Sequence, residues 1–453
     1  MAKRAKHKCL LDSLPDSILC HILSFLPTRD AVRTSILSPR WRYLFTSSLS
    51  RLDFSDGLRY PLVHSREHMN NFKKFVDRLL FDPKHLRLDY FRVNDMWASD
   101  GFLSVYNWLC AALWRGVKEI SVDLNHGDLR MLPTLLFVSP SLVKLTLSIS
   151  SHGMKVPTNV FLPNLRTLHL LSMEFADGCS FPRLISGCPV LECLLMRQCF
   201  LNGTNEINIH SLSLKSLVLY FTTFRDEVGR DFDNVFVINA PSLVCFKYAG
   251  RVGKRYTFRN IECLEEASIK LSHLDAADRE RSATLLRGIC NVQTLRLIDH
   301  DYDEPLPLLR MPLDSVLVFP NLFKLHLENP LGHRKGKWIM EFLRCVPNLR
   351  LLYLDLADAD KDFKPQLDDV PPCLFHRLEV IDLTFKGDTH MFEVVSYFLD
   401  HALVLNKLVI WSTDLSLEAR SRIEEKLSSL PKKTKKCKFI VREAYPRLTM
   451  LPV

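Results

Sequence analysis

The chain has 453 residues, 47% of them hydrophobic, and a formal net charge of +9. That length exceeds one compact core, so it predicts a small module joined either to two domains or to one elongated repeat array. No run approaches the roughly 20 consecutive apolar residues of a membrane-spanning helix, and no apolar stretch of signal-peptide length precedes Asp12, so the expectation is a soluble intracellular protein with no membrane partner. Thirteen cysteines with no C-x-x-C spacing read as reduced thiols among apolar neighbours, not as a disulfide framework or a zinc site.

Residues 1–9 form a basic tail carrying Lys3, Arg4, Lys6 and Lys8. Residues 10–50 then hold three short helical patterns. Leu14-Pro15-Asp16 opens the first, which runs to Leu26 with Ile18, Leu19, Ile22, Leu23 and Leu26 at helical spacing and Ser17, Cys20, His21 and Ser24 opposite. That apolar stripe is wide enough to serve two surfaces. Thr28 and Ser38 are suited to cap the next two helices, and Pro39 suits a first helical turn, where its missing N–H would have had no partner. Trp41, Leu44 and Phe45 follow at i, i+3 and i+4. Chains below roughly 40 residues rarely make a self-sufficient core, so this unit is expected to rest on a partner.

The wording of two stretches, Leu14-Pro15-Asp16-Ser17-Ile18-Leu19-Cys20-His21-Ile22-Leu23-Ser24-Phe25-Leu26-Pro27-Thr28 and Thr34-Ser35-Ile36-Leu37-Ser38-Pro39-Arg40-Trp41-Arg42, resembles the plant-type F-box. Pro39 stands where that family usually has a basic residue, and Phe45 where it usually has Trp. The resemblance implies docking on the Skp-family adaptor and, through it, on cullin and RING subunits. The residues it implies for that contact are Leu14, Pro15, Ile18, Leu19, Ile22, Leu26, Val32, Ser38 and Trp41.

Residues 51–115 are a weakly marked bridge in which Leu52-Asp53-Phe54 and Leu86-x-Leu88 read as imperfect first strands. From residue 116 to 370 an internal repeat takes over. The pattern apolar-x-x-apolar-x-apolar begins at Val117, Leu142, Leu165, Leu191, Leu214, Leu243, Leu264, Val292, Leu322 and Leu349, and continues at Leu378 and Leu405, with separations of 21 to 30 residues. This is similar to leucine-rich-repeat spacing, in which each copy supplies one short strand and a helix or irregular arc. Pro140, Pro163-Asn164, Pro241, Pro320-Asn321 and Pro347-Asn348 introduce several copies and end whatever helix precedes them. Ile185, Leu286, Leu343 and Leu399 each lie six residues before their copy's first apolar position, as the edge of a helix laid on the strand layer would. The copies at Leu243 and Leu264 are degenerate, so irregular curvature is expected.

Residues 371–446, through Pro371-Pro372-Cys373-Leu374, Leu378 to Leu383, Val394 to Leu399, Leu405 to Ile410 and Leu427 to Pro431, resemble the FBD module that follows such repeats in plant F-box proteins. Physically they read as two further repeats and a closing element, with a helix from Leu415 to Leu430 as cap and a tail at 447–453. The fold class expected is therefore α/β: a three-helix F-box, then a leucine-rich-repeat solenoid with a curved, mostly parallel sheet and convex helices, closed by an FBD-type cap.

Catalytic motifs fail one by one. There is no G-x-G-x-x-G, G-x-S-x-G or H-E-x-x-H, and the stretch Gly332 to Trp338 has the wrong spacing and ending for a phosphate loop. His169, His326, Asp355 and Asp382 fall in separate repeats and read as solvated surface, so no metal and no cofactor are expected. The basic clusters at Lys3 to Lys8 and Lys432 to Lys438 lack interleaved stacking aromatics, which argues against nucleic acid and leaves nuclear import open; nucleus, cytoplasm or both are expected. Outward positions of the repeat strands include Lys144, His169, Arg197, Lys247, Lys270, Arg296, Lys324, His326, Tyr353 and Lys407, interrupted by Glu266, Glu328, Asp355 and Asp382. Lys247, Lys270, Arg296, Lys324 and His326 are expected to form one row and, with Tyr353, the substrate-binding face for an acidic or phosphorylated segment. The reading is a non-catalytic substrate receptor of an SCF-type ubiquitin ligase. The alternative is a non-degradative scaffold or ligand sensor.

Overall fold

Each copy of the apolar pattern becomes one strand of a parallel sheet, because its second and third apolar residues fall two apart and therefore on one face. The computed structural model describes residues 10–41, 44, 50–54, 66–81, 88–94, 102–124, 132–149, 153–221, 233–271, 278–299, 317–328, 335–356, 370–385, 391–412, 417–430 and 437–443. The basic clusters at Lys3 to Lys8 and Lys432 to Lys436, together with Phe45, Leu86 and Gly332, lie outside those residues. The chain forms two units, Met1–Asn205 with His210–Leu214 and Glu206–Ile209 with Lys215–Val453.

In the first unit, helices Asp16–Phe25 and Thr28–Arg33 and a helical turn opening at Pro39 precede the strands Arg51–Phe54, Tyr90–Asn94, Glu119–Leu124, Lys144–Ile149, Thr167–Leu171 and Cys193–Arg197. The strands pair in parallel with Leu52, Phe91, Ile120, Leu145, Leu168 and Leu194 in register, all of them buried. The bridge thus contributes two strands to this sheet. The second is Tyr90–Asn94, where Leu88-x-x-Phe91-x-Val93 is itself a copy of the pattern, written with Phe and Val; Leu86 lies outside the described residues. Helices Arg66–Phe81 and Phe102–Trp114 belong to these early repeats. Phe54, Phe72 and Trp108 join them edge to face at centroid distances of 5.7 and 6.1 Å, and Trp108 Nε1 donates to Asp77 Oδ1 at 2.7 Å.

In the second unit the strands are Ser216–Phe221, Cys245–Gly250, Glu266–Leu271, Thr294–Asp299, Lys324–Glu328, Leu351–Leu356, Val380–Phe385, Lys407–Ser412 and Lys438–Glu443. They too run parallel, and Leu217, Phe246, Ala267, Leu295, Leu325, Leu352, Ile381 and Leu408 share one buried row. The degenerate copy at Leu264 keeps its place because Ala267 is small but still apolar. Helices Asp278–Gly288, Lys335–Arg344 and Met391–His401 bury Leu286, Leu343 and Leu399, the positions their spacing marked, as Ser180–Ser186 buries Ile185 in the first unit. The closing element is a helix, Leu417–Ser429, and one more strand, Lys438–Glu443, whose exposed Lys438, Arg442 and Glu443 blunt the sheet edge.

Two features of the second unit carry no repeat signal. Strands Glu206–His210, Val235–Asn239 and Arg255–Arg259 make a separate small sheet, fastened by Phe236, Tyr248 and Tyr256 at centroid distances of 5.2 to 5.7 Å. Gly250 ends its strand at φ +137°, and a Cβ there would lie 2.7 Å from the carbonyl carbon of Phe221.

Neighbouring repeats are stitched where each strand begins. Two successive amides share one carbonyl of the preceding repeat: Arg166 and Thr167 donate to Val143 O at 2.8 and 3.1 Å, and Phe323 and Lys324 to Gln293 O at 3.0 and 3.2 Å. The Pro-Asn dipeptides add a side-chain latch, Asn164 Nδ2 to Pro140 O and Asn348 Nδ2 to Pro320 O, both at 2.8 Å. The proline ends the helix, and the asparagine ties the turn to its predecessor.

Candidate functional site

Helix Asp16–Phe25 has two apolar faces. Leu19 and Leu23, one turn apart, are buried, whereas Ile18, Ile22 and Phe25 lie about 100° around the axis, on the neighbouring stripe. Leu19 is 0% and Trp41 4% exposed, so both serve the module's own core. Leu14, Ile22, Leu26, Val32 and Ser38 are half-buried, and Pro15 is exposed. Large apolar side chains left open on the same module are Ile36 at 83%, Phe25 at 73%, Leu37 at 61%, Ile18 at 45% and Leu11 at 41%. Of these five only Ile18 was among the residues expected to dock; Phe25 continues its helical stripe, and Ile36-Leu37 end the turn before the third helix.

The module is braced by polar contacts. Ser38 Oγ accepts from Trp41 N at 3.4 Å, as the cap of the third helix should. Thr28 does not cap the second: Pro27 holds that position, and Thr28 is buried with its hydroxyl turned to the backbone N–H of Asp53 at 2.6 Å. Arg40 donates through Nε to Asp16 Oδ1 at 2.9 Å and through Nη2 to Leu14 O at 2.6 Å, which fixes the chain where it enters the first helix.

The open face of the second unit's sheet places the six expected substrate residues in three rows, not one. Lys247, Ser268, Arg296, His326, Tyr353 and Asp382 share one register row; Lys324 stands one row upstream with Glu266 and Thr294, and Lys270 one row downstream with Glu328. The single-row expectation fails because outward residues of one strand recur every second position, so a strand contributes to several rows. Arg296 is also not a free cation: its Nη2 donates to Glu328 Oε2 at 2.8 Å and its Nε lies 2.7 Å from Oε1. The His326 ring sits 5.3 Å from that of Tyr353, whose hydroxyl is 3.1 Å from Thr384 Oγ1. Burial, then Lys324 and Arg296, bring His326 down to about 4 against the pull of Glu328, so the ring is neutral at pH 7. Asp382 goes up, chiefly by burial and against Lys407, whereas Asp355 is buried within its strand. Between Lys247 and Arg296 the face sinks into a cavity of about 430 Å³.

On the first unit's open face His169 is lowered by burial and by Lys144. Among the described residues no three His, Cys, Asp or Glu side chains gather to hold a metal, and no helix is long and apolar enough to cross a membrane.

Comparison with known proteins follows the same order along the chain. Residues 11–53 match the F-box domain, residues 105–272 match the LRR repeats of FBD-associated F-box protein At5g56370, and residues 366–410 match FBD. The chain is 32% identical over 368 residues to the F-box/LRR-repeat protein At3g59210 of Arabidopsis thaliana, covering 76% of this chain and 72% of that protein. The chain belongs to the plant F-box/FBD/LRR-repeat family. Within the family it is 29% identical to the Arabidopsis thaliana F-box/LRR-repeat protein At4g14096, over 96% of this chain and 94% of the other. It is 28% identical to the Arabidopsis thaliana F-box/FBD/LRR-repeat protein At1g78750, over 97% and 98%. F-box/LRR proteins are generally non-catalytic substrate receptors, and an F-box in general binds an Skp-type adaptor. The F-box match ends inside the first strand, Arg51–Phe54.

Proposed function

We propose that this F-box/FBD/LRR-repeat protein is the substrate-recognition subunit of an SCF-type E3 ubiquitin ligase. Its F-box docks on the Skp-family adaptor and through it on cullin and RING subunits, and the open face of the repeats holds a protein substrate. The observation that carries the docking is the exposure of Phe25, Ile36 and Leu37 on a module whose own core is already filled by Leu19, Leu23, Ala31 and Trp41. Apolar surface left open in this way marks a protein interface. No residue of the chain takes part in ubiquitin chemistry. Holding the substrate beside the transferring enzyme turns a bimolecular step into a nearly intramolecular one, an effect worth orders of magnitude in effective concentration.

The test is co-purification of the full chain with a Skp-family adaptor. Phe25→Asp with Ile36→Asp should abolish it while the thermal melt stays within a few degrees of the parent, because neither side chain is buried. Undiminished adaptor binding by that double variant would overturn the docking surface. A proteome comparison with the proteasome active, in the presence and absence of the chain, then identifies the substrate: a protein that accumulates when the chain is removed, and also when the proteasome is blocked with the chain present, is the expected result.

A further inference from the structure

The central register row of the second unit reads Lys247, Ser268, Arg296, His326, Tyr353, Asp382, and Ser268 is its one small side chain. Strands stand about 4.8 Å apart, so Lys247 and Arg296 face each other across roughly 10 Å with only a hydroxymethyl between them. That gap opens into a cavity of about 430 Å³ that extends along the row to Tyr353. Lys247, Arg296, Glu266 and Glu328 bring charge to its walls, beside Ala267 and the rings of His326 and Tyr353. A small-molecule pocket sets few polar groups in mostly apolar walls, whereas charged and hydroxyl groups recur all round this hollow, which suits a polar side chain presented by another protein.

Charge decides the sign of that side chain. Glu328 accepts from Arg296 Nη2 and stands beside Nε, and among the described residues nothing accepts from Nη1. The carboxylate therefore holds the fork in place and leaves it two N–H groups for a second acceptor. Lys247, Lys270 and Lys324 have no salt bridge among the described residues, against two carboxylates of the open face that likewise have none, Glu266 and Asp382. His326, being neutral, adds no charge but can donate or accept one hydrogen bond.

We propose that the hollow over Ser268 receives an anionic side chain, carboxylate or phosphoryl, of an extended segment of a protein substrate, held between the Lys247 ammonium and the free edge of the Arg296 guanidinium. This deepens the substrate-receptor reading and rests on it only for the origin of the segment. The site is tested on the full chain with arrayed nonapeptides whose flanks are randomised and whose central residue is fixed as phosphoserine, glutamate, serine or lysine. A charge-assisted bond at a part-desolvated site is worth a factor of about ten, so phosphoserine, glutamate or both should exceed serine by about that much. Phosphoserine well above glutamate assigns the phosphoryl source, and parity assigns the carboxylate. Ser268→Glu places a carboxylate of the chain itself between the two cations and should erase the preference. Lys247→Ala, which adds nothing to the cavity, should reduce it severalfold. No preference over serine, no peptide signal at all, or a preference unchanged in both variants overturns the site. Adaptor co-purification of the same preparations keeps the two readings apart, because its loss would remove the ligase role without touching the peptide preference.

Discussion

The hydroxyl of Thr28 in the F-box accepts a hydrogen bond from the backbone N–H of Asp53 in the first repeat strand at 2.6 Å, with Thr28 itself buried. A residue suited to cap a helix thus joins two modules instead. Thr28→Val keeps the shape and removes the acceptor of a part-buried N–H. We expect a loss of about 1–3 kcal/mol in urea unfolding of the full chain. No change would mean that water reaches the Asp53 amide.

Truncation follows the same logic. A chain starting near Arg115 discards strands Arg51–Phe54 and Tyr90–Asn94 and bares the edge of Glu119–Leu124, whose Ile120 and Val122 are buried in the whole protein. It should melt below the full chain and aggregate on concentration, read by light scattering.

Core and surface substitutions in the F-box should separate cleanly. Leu19→Ala removes a fully buried side chain and should destabilise by about 2–5 kcal/mol. Leu37→Ala, on an open side chain, should leave the unfolding midpoint in place and weaken adaptor binding alone, measured by calorimetric titration.

Much of this was legible beforehand. Leu165, Leu322 and Leu349 announce their strands because burial repeats at a nearly fixed spacing, and the Leu14 to Arg42 wording marks the F-box. The strand Tyr90–Asn94 was missed because its copy is written with Phe91 and Val93. The small sheet through Val235–Asn239 was missed because it interrupts the period. The open side chains of Phe25 and Ile36 become visible only once Leu19 and Trp41 have claimed the core. The Arg296–Glu328 pair joins residues 32 apart, and its existence depends on strand register, which one chain read linearly does not state.

Gly250 offers a sharp stability test. At φ +137°, with Phe221 backbone 2.7 Å from where a Cβ would stand, Gly250→Ala is strained and crowded at once. Differential scanning fluorimetry should show a lowered midpoint corresponding to at least about 2 kcal/mol. Gly116→Ala, at a positive φ with open space around it, should cost less.

The depressed His326 titration predicts an acid dependence. The unfolded ring binds a proton near its ordinary 6.5 and the folded one only near about 4, so between those values the unfolded state holds more protons. The stability this contributes is present above pH 6.5 and is lost as pH falls toward 4. His326→Gln should therefore flatten the pH profile of urea unfolding in that window, and parallel profiles for the two proteins would rule the contribution out.

The stitches at these strand starts point one way. Arg166 and Thr167 reach back to Val143, Phe323 and Lys324 to Gln293, and Asn164 and Asn348 to the prolines behind them: the later repeat donates and the earlier one accepts. A polypeptide leaves the ribosome from its N-terminus, so every acceptor of this kind is in place before its donor is made. Translation can thus lay the strand starts down like courses of brick, each set on a finished one, while the turn amides of Leu162 and Phe319 wait for the carbonyls of Gly187 and Cys345 still to come.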